Sequence, residues 1–255
     1  MAKAYIVILA YNEEKGLPPL LAAIRSLMAE CGRDYQVLLV NDGSRDRTRD
    51  LALEAARSMP LDVLDHAANR NCGAVFRTGI TEACRRAHPD DVIVTIEGDN
   101  TNDPSVLPAM LSRVEEGYDV VAASRFRRGG GFVGFPAMRL LYSHGVNWLL
   151  RILYPIAGIR DYSFFYRAYR AGALQRALAH YGGDFIESAG FVSNAEILVK
   201  LRPFGVLGSE VPTRYLYEKK ASASKMRPAR TIAEYFRFFA RLRQTHKKYF
   251  PRRSA

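Results

Sequence analysis

Residues Asp91–Asp103 read DVIVTIEGDNTND, a run of β-formers that stops abruptly in acids. Continuous Val/Ile runs of this length, without polar alternation, are typical of strands buried on both faces of a parallel sheet. The same pattern recurs in AYIVILA (4–10), YQVLLV (35–40), LDVLDH (61–66) and YDVVAAS (118–124). Between these runs lie helical patterns at 16–30, 47–59, 74–87 and from Pro104 to about Glu116. Strands alternating with helices predict an α/β fold, with a mostly parallel, Rossmann-like sheet covered by helices on both sides. In such sheets ligands bind beyond the carboxyl ends of the strands. Polar residues follow four of the runs: YNEE, NDGS, AANRNCGA and EGDN. Four strand ends are therefore expected to converge polar groups on one rim.

The chain has 255 residues, 48% of them hydrophobic, enough to fill a core and to exclude a disordered chain. Cys31, Cys72 and Cys84 are odd in number and lack C-x-x-C spacing, and the N-terminus does not resemble a signal peptide, so a reducing cytosolic setting is expected. The formal net charge is +11. All of it resides after residue 213, where thirteen Lys/Arg face only Glu218 and Glu234. The expected organisation is one domain over 1–213 and a basic tail over 214–255, whose partner should be anionic.

Two amphipathic stretches stand apart from the alternating pattern. Within 133–157, Met138, Leu141, Gly145, Trp148, Leu149 and Ile152 recur at helical spacing beside a polar stripe of Arg139, Ser143, Asn147 and Arg151. The charges rule out a spanning helix and predict one that packs or lies on a membrane surface. A second helix is expected from about Thr231, with Ile232, Tyr235, Phe236, Phe239 and Leu242 on one face and arginines largely off it. Aromatics at helical spacing favour an anionic membrane surface over nucleic acid as the partner of this tail.

The acids that end the 91–97 run suit a hard divalent cation. Glu97, Asp99 and the neighbouring Asp42 offer oxygen ligands, and Mg²⁺ or Mn²⁺ commonly binds through one or two carboxylates plus substrate phosphates. The implied ligand is a diphosphate. Simpler roles compete at each position: Asp42 can shape a turn, Asp99 can bond loop amides, and Tyr11 and Glu13 can be an ordinary loop aromatic and a helix-start acid. Asp103 before Pro104 reads as a helix cap. Arg167 is either a phosphate contact or a buried partner of Asp161, and His144 reads as a polar-face residue.

Taken in order, VILAYNEEKGLP, VLLVNDGSRDRT, NRNCGAVFRTGI, TIEGDNTNDP, SRF, RDYSFFYRAYR and EVP followed by SKM resemble the family 2 glycosyltransferases of GT-A fold. Among these the pattern is most similar to the polyprenol-phosphate (dolichol-phosphate) mannose synthases, over roughly Ala4 to Met226. The resemblance implies transfer of a hexose, with inversion, from a nucleotide-sugar of the GDP-mannose or UDP-glucose class to a polyprenyl phosphate on the cytosolic face of a membrane. Carried over, Leu9, Tyr11 and Glu13 line the nucleotide pocket, and Val40 and Asp42 hold the base. Glu97-Gly98-Asp99 stands where the family has Asp-x-Asp. Asp99 would bind Mg²⁺ or Mn²⁺ with Glu97 nearby, and Thr101 stands where a Gln ligand is often found. Arg125, Lys219 and Lys225 stand where the family has cations for the diphosphate and the acceptor, with Arg127, Arg128 and Lys220 as further candidates. The chain departs from the family at Phe164 or Phe165 and at Ser222, which replace glycines on the acceptor side.

A phosphate acceptor is already largely ionised at neutral pH and needs no general base. A hydroxyl acceptor would need one, with Glu187 or Glu196 the first residues to consider. A nucleotidyltransferase, and a nucleotide-sugar-binding protein without transferase activity, are further alternatives. The sugar, base, lipid and oligomeric state are left open by the residues.

Overall fold

The computed structural model describes residues 2–220 and 228–250, with no side-chain account of 228–230, 246 or 247. Five strands follow the apolar runs: β1 (Ala4–Ala10), β2 (Tyr35–Asn41), β3 (Leu61–Asp65), β4 (Val92–Glu97) and β5 (Val120–Ser124). Helices α1 (Leu17–Glu30), α2 (Thr48–Ala55), α3 (Asn71–Arg86) and α4 (Leu107–Glu115) connect them. The chain continues through β6 (Gly131–Val133), α5 (Ala137–Leu153), β7 (Arg167–Arg170), α6 (Ala171–Tyr181), α7 (Val192–Leu201), β8 (Gly208–Pro212), β9 (Arg214–Leu216) and α8 (Pro228–Tyr249).

The main sheet has the order β3-β2-β1-β4-β7-β5-β8. All its neighbours are parallel except β7, which runs antiparallel between β4 and β5. β1 is buried along its whole length, as a central strand covered on both faces must be. Its side chains alternate between two cores. Tyr5, Val7 and Leu9 pack with α3, α6 and α7, whereas Ala4, Ile6 and Ile8 pack with α1 and α4. Thus the mostly parallel α/β sheet with helices on both faces is the fold formed.

Three local outcomes differ from the sequence expectation. The segment 71–73, expected in a loop, opens α3, because Asp42 caps its first amides. β7, four residues with an arginine at each end, carries no apolar run to announce it. Arg167 nevertheless lies fully buried, because carbonyl oxygens of Asn194 (2.7 Å) and Tyr162 (2.6 Å) accept from its guanidinium. Of the two expected roles, the buried partner of Asp161 is the one observed, through the Asp161 backbone carbonyl (3.4 Å) and not its carboxylate. Finally, β9 lies beyond the boundary drawn after residue 213. It pairs in parallel with β6 and accompanies the domain, so residues 214–220 are integral to the rim described below.

α8 lies across the α3–α6–α7 face. Phe238 is completely buried there, with Tyr235, Phe239 and Leu242 packed beside it. Phe236 and Ile232, expected on the same apolar face, point outward at 73% and 39% exposure. No described helix is long and apolar enough to cross a membrane.

Candidate active site

The four strand ends do converge, around a cavity of about 280 Å³. Leu9, Tyr11, Glu13, Asp42, Glu97, Asp99 and Arg125 line it. The loops that bring them together are tied to one another through polar contacts. Asn12 N donates to Ser44 Oγ (3.0 Å), Glu13 N to Thr48 Oγ1 (2.7 Å), and Arg45 N to Asn12 Oδ1 (2.8 Å). Gly43 makes its turn at φ +68°, where a side chain would be strained. Gly16 has a different reason: a Cβ there would stand 2.7 Å from the Asp99 carbonyl carbon, so the acid loop packs directly on backbone.

Asp42 holds three partners. Its carboxylate accepts from Arg70 N and Asn71 N, both at 2.9 Å, at the positive end of α3, and pairs with His66 Nδ1 at 2.7 Å. His66 Nε2 in turn meets Thr78 Oγ1 at 2.9 Å. His66 escaped the sequence reading, although it ends its apolar run as Asp42 follows its own; that shared position was the available signal.

The acids of β4 sit on the opposite wall. Glu97 ends the strand, paired in register with Leu9. Burial, and the Asp99 carboxylate beside it, push its carboxyl up to about 7. Asp99 is 3% exposed. Its Oδ1 accepts from Thr101 Oγ1 (2.6 Å) and Thr101 N (3.1 Å), while its Oδ2 pairs with the Lys220 ammonium. Burial opposes the charge on Lys220, yet Asp99 and Glu97 together hold it above its ordinary value. Buried Asp99 thus pairs with one tethered cation that half-buried Glu97 also faces. The buried Asn102 amide lies against Glu97 without a well-formed hydrogen bond. Leu216 N donates to Thr101 O at 2.9 Å, and this bond brings β9 and the turn carrying Lys220 to the acids.

Several expected residues lie elsewhere. Val40 is wholly buried in the core beneath the cavity, and the Gly98 amide donates to Leu9 O at 2.9 Å; neither lines the cavity. The Thr101 hydroxyl is committed to Asp99 and also lies outside the lining. Lys219 is exposed and Lys220, one residue on, makes the contact instead. Lys225 and Ser222 fall outside the described residues. Asp103 caps the turn that leads into α4, accepting from Ser105 N at 3.0 Å.

Arg125 is fixed more firmly than a mobile cation. Its Nε and Nη2 donate to the two oxygens of Asp161 at 2.8 Å, and its guanidinium stacks 4.5 Å above Phe164. Phe164, Phe165, Tyr215, Tyr217 and Phe135 give this side an aromatic wall. The wall opens into a second crevice of about 140 Å³ between α5 and α8, where Arg125, Phe135, Arg139, Ser163 and Phe191 border both spaces. Glu187 and Glu196 border neither, since both bond the buried Lys200 ammonium at 2.7 Å. His144 stands at the exposed face of α5, its ring 4.8 Å from that of Phe126.

Residues 5–178 match the family model described as Glycosyl transferase family 2. An undecaprenyl-phosphate 4-deoxy-4-formamido-L-arabinose transferase of Pseudomonas aeruginosa (strain LESB58) is 34% identical over 176 residues, 68% of this chain and 49% of that protein. A dolichol-phosphate mannosyltransferase of Pyrococcus furiosus is 27% identical over 241 residues, 94% of this chain and 63% of that protein. The chain therefore spans about half to two thirds of the length of these relatives. Among solved structures, the glucosyl-3-phosphoglycerate synthase of Mycobacterium tuberculosis, crystallised with Mn²⁺, UDP and glucosyl-3-phosphoglycerate, superposes with a TM-score of 0.64. It is 16% identical, over 96% of this chain and 79% of that one. Mannosyl-3-phosphoglycerate synthase of Rubrobacter xylanophilus gives 0.63 at 14% identity, covering 100% of this chain and 77% of that one. The fold is thus of GT-A type.

Proposed function

The chain belongs to glycosyl transferase family 2, and on that footing we propose that it transfers a hexose from a nucleotide-sugar to a polyprenyl phosphate at a membrane surface. The observation that carries the reading is the joining of two spaces: a rim cavity holding Glu97, Asp99 and Lys220 continues past Arg125 into the crevice between α5 and α8. The first suits a nucleoside diphosphate, the second an acceptor with an apolar tail. The relatives named for undecaprenyl-phosphate and dolichol-phosphate transfer support that class of acceptor.

The donor set fits a divalent cation. Asp99 and Glu97 already stabilise one positive charge, and two carboxylates plus donor phosphates are what Mg²⁺ or Mn²⁺ requires. Asp99, with Glu97 beside it, would hold the ion, which would neutralise the diphosphate as it departs. Among the described residues no cluster of three His, Cys, Asp or Glu offers a cage without substrate oxygens. Lys220, which pairs with Asp99 at the cavity wall, would be available to the diphosphate if that carboxylate held the ion. Leu9, Tyr11, Glu13 and Asp42 hold the nucleoside. An acceptor phosphate oxygen attacks the anomeric carbon as its bond to the diphosphate breaks, with inversion and without a general base. Arg125 and Arg139 supply the positive field that lets the two anions approach.

The commitment of Glu187 and Glu196 to Lys200 weighs against a hydroxyl acceptor, which would need one of them as base. Exposed Met138, Leu141, Trp148 and Ile152 on α5, with Phe236 and Ile232 on α8, support contact with a membrane at the acceptor entrance. The test is incubation with polyprenyl phosphate in membranes, Mg²⁺ and labelled GDP-mannose or UDP-glucose. Label is expected in the lipid extract. Donor binding with no transfer from any nucleotide-sugar would replace this reading with that of a binding protein.

A further inference from the structure

A second cavity, of about 590 Å³, lies apart from the acid-lined rim and shares no lining residue with it. Arg127 and Arg128 reach it from the β5–β6 loop, Arg151 from the end of α5, and Arg160 from the loop before β7. These four arginines are exposed, and among the described residues none of them makes an ion pair. Unpaired arginines occur elsewhere on the described surface, Arg47, Arg57 and Arg70 among them, but here four of them border one cavity. Glu210 is the one carboxylate in the lining. It is 3% exposed, and its Oε1 accepts from both Arg160 N (2.6 Å) and Asp161 N (2.8 Å). Four guanidinium groups from three segments thus surround a space containing one acid.

Like charges gathered without counter-charges repel, and a bound anion relieves that repulsion. Guanidinium forks match phosphate oxygens in pairs, which a lysine cluster would not. We propose that this cavity is a second anion site that takes a phosphate group. The neighbouring surface indicates where that phosphate comes from. Trp148, three residues before Arg151 and on the same flank of α5, is 65% exposed, and Ile152 and Leu153 are 56% and 48% exposed. An apolar ridge beside a cationic cavity suits the headgroup of an anionic phospholipid, with the ridge entering the interface and the arginines meeting the phosphate. The arginine cavity is independent of the transferase reading, because it uses neither the acid pair nor the crevice; the lipid source shares Trp148 and Ile152 with the membrane contact proposed above.

The experiment compares wild type with R127Q/R128Q, R151Q/R160Q and the quadruple variant, and with a control, R57Q/R85Q, that removes two charges from exposed positions elsewhere. Sedimentation with phosphatidylcholine vesicles, with and without phosphatidic acid, reads the lipid arm. Each cavity arginine removed should lower partitioning onto the phosphatidic acid vesicles by about fivefold, equivalent to about 1 kcal/mol. The control should lower it far less, and all variants should keep the wild-type melting temperature. A thermal shift with inorganic phosphate or pyrophosphate reads the soluble arm. A shift lost only in the cavity variants, with vesicle binding unchanged, would retain the phosphate site and discard the lipid source. Cavity variants that match the control in both arms would overturn the proposal.

Discussion

Glu97 and Asp99 are separated by one residue, yet their surroundings differ. Asp99 has Thr101 and Lys220 as partners, whereas desolvation and the neighbouring Asp99 push Glu97 up to about 7 from an ordinary 4.5. The folded protein therefore keeps a proton on Glu97 that the unfolded chain releases first. Stability from this group is complete below its ordinary value and is lost as the pH rises through about 7. Glu97→Gln has no such proton to lose. It should match wild type in urea denaturation near pH 4.5 and exceed it at pH 8 by about 1–3 kcal/mol. Equal stability at both pH values would show that Glu97 ionises without cost. The acid pair itself was legible in the sequence, because both acids follow directly on an apolar run. The Lys220 contact was not, since it joins residues 121 apart through the pairing of β9 with the acid loop.

At the scale of elements, α8 separates what periodicity reveals from what packing decides. Helical spacing correctly indicated an amphipathic helix, but a sequence of Tyr235, Phe236, Phe238 and Phe239 has aromatics in too many directions to identify the buried side. The structure buries Phe238 and leaves Phe236 73% exposed. Phe238→Ala should cost about 3–5 kcal/mol of stability, as for other fully buried aromatics, whereas Phe236→Ser should change it by less than about 0.5 kcal/mol. Chemical denaturation of the two variants checks this, and similar losses in both would place α8 wrongly. The parallel strands β1 to β5 were readable because each must be apolar on both faces. β7 was not, because its burial is satisfied by hydrogen bonds from Arg167 to carbonyl groups, which leave no periodic trace.

Across the whole molecule, the two halves of the site arise from different features of the chain. The rim cavity follows from topology: parallel strands deliver Tyr11, Glu13, Asp42, Glu97 and Asp99 to one edge, so their convergence could be expected from the order of elements alone. The crevice beyond Arg125 depends on tertiary packing. α5, α8 and β9 meet there, and the aromatic wall of Phe135, Phe164 and Tyr215 forms from segments far apart in sequence. Charge divides differently, since residues 1–213 are electrically balanced and the excess lies beyond them, while both halves of the site draw on residues before 213. The central claim is that Asp99 binds a nucleotide-sugar diphosphate through a divalent cation. Calorimetric titration of GDP-mannose and UDP-glucose, with and without Mg²⁺ or Mn²⁺, tests it in wild type, Asp99→Ala and Glu97→Asp. The account predicts metal-dependent binding in wild type, retention or improvement in Glu97→Asp, and a loss of at least about 100-fold in Asp99→Ala, the scale of a charged contact left unmade. Equal, metal-dependent affinity in Asp99→Ala would contradict it.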